Sequence, residues 1–151
     1  MSQEWSKLRP LSKLDQLAET IIKTAFILSE NHHVIQSYLN HDGAHFKVLN
    51  RVGESTFDVL CKQINLEKTN YAFIPQKHLE QGLRDDLYIG LVLFVDNQKP
   101  TKFLFPSTVW RKPNLLFTNS SIKTAEYGIS LGQKTFDILK EHDFGQIVKT
   151  L

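Results

Sequence analysis

A carboxylate and a lysine lie on one face of a strand-like segment at residues 55–64, and such a pair can act on phosphates. Side chains alternate in direction along a β-strand, so Asp58, Leu60 and Lys62 share a face. Acidic side chains can hold Mg²⁺, and a nearby lysine can polarise an attacking water or a phosphate. A strand whose polar positions are merely solvated has the same pattern, so both interpretations stay open.

The histidines offer one spacing that is compatible with a metal site. His41 and His45 have the i, i+4 spacing that could bind zinc from a helix. A glycine between them and the strand-like residues that follow disfavour a helix there, and the adjacent His32 and His33 point apart. The sequence has one cysteine, Cys61, and no Gly-rich phosphate loop or GxSxG motif. We therefore expect no metal site and a buried, structural thiol.

The elements that must position these residues begin with a helix over about residues 12–30. Its apolar residues form one stripe at 3.6-residue periodicity, which should lie on a sheet. Ser12 can cap this helix, with Asp15 at the position of a capping-box acid. The segment 31–40 is ambiguous, and its apolar spacing fits a short helix.

Strands follow the first helix. Residues 45–51 and 55–64 have the pattern of an antiparallel hairpin that turns at 52–54. Residues 87–95 have no polar face, which is typical of a central strand covered on both sides. Shorter strands are predicted at 70–74, 101–105 and 115–117, and a capping-box pattern predicts a helix at about 130–141. The expected fold is α+β, with a central mixed sheet, the long N-terminal helix on one face and a C-terminal helix.

The composition is that of an ordinary globular protein. Its 151 residues are 41% hydrophobic and 23% charged, so we predict a single domain over residues 1–151 with an ordered core at 12–144. The net charge of +2 does not by itself indicate a nucleic-acid binder. With one cysteine, no apolar signal segment and no apolar run near 20 residues, we expect a cytoplasmic protein without a membrane span.

The segment at residues 56–62 resembles the third strand of the restriction-endonuclease-like superfamily, whose signature is PD…(D/E)xK. More narrowly, the chain is similar to a diverged group of short bacterial proteins across about residues 14–144. In that group a glycine turn leads into a strand of the pattern DvxVK, followed by an apolar strand, a Lys-Pro turn and a strand ending in Pro-Ser. The corresponding positions are Gly53, 58–62, 88–95, Lys99-Pro100 and 103–107, then Trp110 and the segment 126–130.

The resemblance implies a nuclease fold with a degenerate motif. Lys62 matches the motif lysine, Glu19 could match a helix glutamate, and Asp42 is the nearest candidate for the first acid. The second acid should precede the lysine by two residues, where this sequence has Leu60. Asp58 lies about 13 Å from Lys62 along an extended strand, too far to replace it at metal–ligand distances of about 2.0–2.6 Å. We therefore expect lost catalytic acids and no cofactor.

The leading hypothesis is a nuclease-like domain that acts as a nucleic-acid-binding or accessory module. Its ligand would be DNA or a partner protein. Lys47, Arg51 and Lys62 would form part of a basic hairpin surface that contacts phosphates.

Two alternatives come from different classes. The first is an active nuclease, which would need Mg²⁺ and would use Glu19, Asp42 and Lys62 as catalytic residues. Asp58 would support them. The second is a homodimeric protein-interaction module that does not bind nucleic acid.

Overall fold

A computed structural model describes residues 4–10, 12–38, 43–120 and 125–151 of the chain. Within these residues the α-helices are α1 (Ser12–Leu28), α2 (Gln133–Lys140) and α3 (Phe144–Val148). The strands are β1 (His32–Ser37), β2 (Phe46–Asn50), β3 (Ser55–Asn65), β4 (Tyr71–Pro75), β5 (Leu87–Phe94), β6 (Thr101–Pro106), β7 (Phe117–Ser120) and β8 (Glu126–Ser130). Short 3₁₀ turns occupy Trp5–Lys7, Gln76–His78 and Ser107–Arg111. None of the described helices combines the length and the apolar character needed to cross a membrane.

The strands form two sheets. The first has five strands in the order β1-β2-β3-β5-β6, in which β3 and β5 run parallel and the other neighbours are antiparallel. The second has three antiparallel strands in the order β4-β8-β7. The predicted α+β class with a mixed sheet is confirmed, whereas the second sheet was not foreseen.

The first sheet is covered on both faces, as the apolar run at residues 87–95 predicted. On one face, Phe57 and Val59 of β3 pack against the buried stripe of α1. On the other face, Leu60 and Ile64 of β3 share a core with the second sheet. The molecule therefore has three layers, α1, the first sheet and the second sheet, and β3 with β5 lies in the middle layer.

Helix α1 lies very close to β5 at Gly90. A β-carbon on Gly90 would be only 2.8 Å from Cγ2 of Ile22 on α1, so a side chain at this strand position would displace the helix. Ile22 is fully buried. This close approach sets the height of α1 over the sheet, and its N-terminal turn then lies beside the carboxyl end of β3, where Asp15 contacts Gln63.

Two expectations about local structure were wrong. The segment proposed as a short helix within 31–40 forms β1 instead, paired with β2. An irregularity in this pairing, between Val34 and Gln36, interrupts the strand alternation. Ile35 is left half exposed at that irregularity, so the apolar spacing imitates a helix. The helix predicted from residue 130 begins at Gln133, because the chain up to Ser130 pairs as β8.

Candidate functional site

A groove opens between the N-terminal turn of α1, the carboxyl end of β3 and one face of β4. It consists of two cavities of about 590 and 230 Å³, which share Asp15, Lys62, Pro75 and His78 in their walls. The larger cavity follows β4, and the smaller one reaches His45. We call the two cavities together the β3–β4 groove.

Lys62 supplies the central cation of the groove. Its neighbours on the same strand face, Leu60 and Ile64, are buried in the core between the sheets, so the lysine stem leaves an apolar floor. Burial lowers the pKa of Lys62, and the carboxylate of Asp15 partly opposes that shift. In the part of the chain that the structure describes, the amine has no hydrogen bond or ion pair at contact distance. An anion entering the groove would therefore meet a cation whose nearest influence of opposite sign is the longer-range charge of Asp15.

His45 lies at the inner end of the groove, and its proton position is set by the backbone. The N–H of Cys61 donates a hydrogen bond to Nδ1 of His45 over 2.8 Å, so the neutral ring carries its proton on Nε2. Burial lowers the pKa of His45, with a further contribution from the positive charge of Lys62 and an opposing one from Glu19. Oε1 of Glu19 lies 4.0 Å from the same Nδ1, but a neutral ring forms no ion pair with it.

The two residues between Asp58 and Lys62 that bear on catalysis are both buried. Leu60, at the position where the motif has its second acid, is 6% exposed and packs in the core between the sheets. Cys61 packs against α1, as expected of a structural thiol. Burial raises the pKa of Cys61, so the thiol stays protonated and is a poor nucleophile.

Asp58 belongs to a separate ionic network at the other end of the strand. Its carboxylate lies 2.8 Å from Nη2 of Arg84, accepts a hydrogen bond of 2.9 Å from the Tyr38 hydroxyl, and lies 3.8 Å from Nζ of Lys47. Only 15% of the Asp58 side chain is exposed. The carboxylate therefore joins β2, β3 and the segment before β5 through ionic contacts.

The structure brings together only some of the candidate catalytic residues. Glu19 and Lys62 both lie near His45, and of these two Lys62 lines the groove. Asp58 is remote from them, and Asp42 lies outside the described residues. Among the described residues, no cluster of three or more histidine, cysteine or acidic side chains is arranged to hold a metal ion.

The three basic residues proposed for the hairpin surface do not form one patch. Lys47 is directly opposite Asp58 in the β2–β3 register, and its charge is partly neutralised there. Arg51 is exposed at the hairpin turn next to Ser55, roughly 23 Å along β3 from Lys62 at about 3.3 Å per residue. Of the three, Lys62 alone lines the groove.

Sequence reasoning missed the face of β4 that lines the groove. Tyr71, Phe73 and Pro75 alternate with the buried Ala72 and Ile74, and all three line the larger cavity. The rings of Tyr71 and Phe73 stack at 6.1 Å between centroids and 22° between planes. Alternation at residues 71–75 was visible in the sequence, but it did not indicate which face would remain open.

The groove therefore combines the amine of Lys62, the ring of His45 and an aromatic wall. Lys68 and His78 add two further basic side chains to the larger cavity. Comparisons of the chain with protein-family models, with curated proteins and with solved structures gave no match.

Proposed function

We propose that this chain is a nuclease-like module that binds DNA through the β3–β4 groove without cleaving it. The observation that carries the proposal is the amine of Lys62, which emerges from an apolar floor into the groove without an ion-pair partner at contact distance among the described residues. A phosphate oxygen would supply the missing counter-charge through a charge-assisted hydrogen bond. The ring of His45, with its proton on Nε2, lines the smaller cavity of the same groove.

The restriction-endonuclease-like fold is part of this proposal. A long helix packed on a mixed sheet, with the motif lysine on a central strand, is consistent with that resemblance. The loss of cleavage is inferred from two residues. Leu60 occupies the motif position of an acid and is buried in the core, and Asp58 is already bound to Arg84.

DNA binding is tested by fluorescence anisotropy with labelled oligonucleotides, single-stranded and duplex, between low and physiological salt. We expect Lys62→Ala to weaken binding about 10- to 150-fold, since a hydrogen bond to a charged group contributes about 1.5–3 kcal/mol. Lys134→Ala, which removes an exposed lysine of α2, is the matched control and should bind like the wild type. Affinity should also fall steeply with salt. Absence of binding by the folded wild type at low salt would overturn the proposal.

A plasmid-nicking assay with Mg²⁺ or Mn²⁺ separates this proposal from an active nuclease. We expect no cleavage by the wild type at any protein concentration that binds the plasmid. Cleavage that disappears in Lys62→Ala would instead establish a catalytic role for the lysine.

A further inference from the structure

We propose that the β3–β4 groove selects single-stranded over duplex DNA, with unpaired bases stacking on Phe73 while Lys62 and Lys68 contact the phosphates. This inference rests on the proposed function and names its ligand more closely.

The aromatic wall is held in place at Tyr71 and is open to solvent at Phe73. The hydroxyl of Tyr71 donates a hydrogen bond of 3.0 Å to Oε1 of Glu126 on β8. Tyr71 also lies over Gly128, where any β-carbon would collide with its hydroxyl. Phe73 stacks on this fixed ring and remains 44% exposed, although most phenylalanines of the chain are buried. A half-exposed ring that is backed by a second, hydrogen-bonded ring offers a stacking surface for a planar group.

The charges of the groove fit a strand that carries phosphates. Lys62 and Lys68 line the same cavity as Phe73, together with His78, while Asp15 is the acid in that wall. Cations beside an aromatic face are the usual arrangement of proteins that bind single strands, in which the charges follow the backbone and the rings stack on bases.

Base faces are what distinguish a single strand from a duplex at such a surface. In a duplex the bases are stacked on each other, so Phe73 could contribute little beyond the phosphate contacts of the lysines. The larger cavity, about 590 Å³, lies within the range of about 300–1,000 Å³ in which proteins enclose small ligands. It is therefore suited to one or two unstacked bases and not to a double helix.

The test compares a fluorescein-labelled 12-mer of thymidylate with a 12-base-pair duplex by anisotropy at low salt. We expect the wild type to prefer the single strand. Phe73→Ala should weaken single-strand binding about 5- to 100-fold and leave duplex binding nearly unchanged. Leu115→Ala is the matched control, since Leu115 is 65% exposed and lies away from the groove. Phe73→Trp should retain binding, and its added tryptophan emission should be quenched by the thymidylate 12-mer.

The outcomes separate this inference from the one on which it rests. If Phe73→Ala binds the single strand as tightly as the wild type, or Phe73→Trp is not quenched, while Lys62→Ala weakens both ligands, base stacking is refuted and DNA binding stands. Equal affinity of the wild type for single strand and duplex also refutes the selectivity. If the wild type binds neither ligand, both proposals fall. Should Phe73→Ala not fold, quenching of Phe73→Trp decides the matter.

Discussion

The backbone N–H of Cys61 donates to Nδ1 of His45 over 2.8 Å, so strand β3 determines the tautomer of a histidine that precedes β2. Protonation of that nitrogen would place two donors against each other. The ring would then have to turn away from β3, and Glu19, whose Oε1 lies 4.0 Å from Nδ1, offers an acceptor for the protonated ring. The contact thus links the protonation state of His45 to the packing of β3 against the chain just before β2.

We expect the free energy of unfolding to fall as the pH drops from 7 to 5. Burial lowers the pKa of His45 below its usual value of 6.5, and the same holds for His32 and His142. As the pH falls, these histidines become protonated at a higher pH in the unfolded chain than in the folded chain. Stability is therefore fully present above pH 6.5 and decreases as the pH falls toward the folded pKa values. Urea unfolding at several pH values checks this.

His45→Gln should make that pH dependence shallower, because one of the three rings whose pKa is lowered is removed. His33→Gln, a change at an exposed histidine, is the control and should keep the wild-type dependence. The same slope in His45→Gln and the wild type would show that His45 does not contribute to it.

Asp58→Asn should destabilise the protein by about 1–3 kcal/mol, between the values typical of exposed and of fully buried ion pairs. The substitution keeps the shape of the side chain but removes the charge that holds Arg84 and Lys47. Asp137→Asn is the control, since its pair with Lys140 is exposed and spans 3.8 Å. Chemical denaturation should show a change below about 0.5 kcal/mol there. Equal stability of both variants would contradict a structural role for Asp58.

Gly90→Ala should cost about 1–3 kcal/mol, because the added methyl group would meet Ile22 at 2.8 Å. Ile22→Ala alone should cost about 2–5 kcal/mol through the cavity it leaves. The double variant should lose less stability than the sum of the two single variants, since the methyl group added at position 90 occupies part of the cavity left by Ile22→Ala. An additive result from urea unfolding would mean that α1 and β5 do not meet as closely as the structure indicates.

Cys61 should resist thiol reagents in the native protein and react rapidly in denaturant. The thiol is buried, its pKa is raised by that burial, and only the thiolate is reactive. Labelling with a chromogenic disulfide reagent, with and without urea, measures the ratio of rates. The native rate should fall further under stabilising conditions, because labelling then requires opening of β3 from α1. Fast labelling of the native state would show an exposed thiol.

The parts of the fold that follow from local patterns were predictable. Helix α1 has a buried stripe that includes Leu14, Ala18 and Ile22 at four-residue spacing, and β5 is apolar on both faces. The β2–β3 hairpin turns at Gly53 and Glu54, both with positive φ, as the glycine suggested. The sequence also singled out Lys62, which lines the larger cavity of the β3–β4 groove.

The rest depends on long-range pairing that no local pattern contains. Residues 126–130 have no apolar periodicity of their own, and they form a strand because β4 and β7 lie on either side. Without that second sheet, nothing indicated that Phe73 would face a cavity and not the core. Asp58 was selected for its residue type, but its partner Arg84 comes from a loop whose position is set only by tertiary packing.

The pairing of β4 also has a consequence for the order of assembly on the ribosome. Among the described strands β4 pairs with β8 alone, in a register that joins Tyr71 to Ser130. The first sheet from β1 to β6 is complete once residue 106 has emerged, whereas β4 must wait for more than twenty further residues. The aromatic wall of the groove is therefore the last part of the binding surface to form, and a nascent chain could pair the strands of its first sheet well before it could engage a ligand.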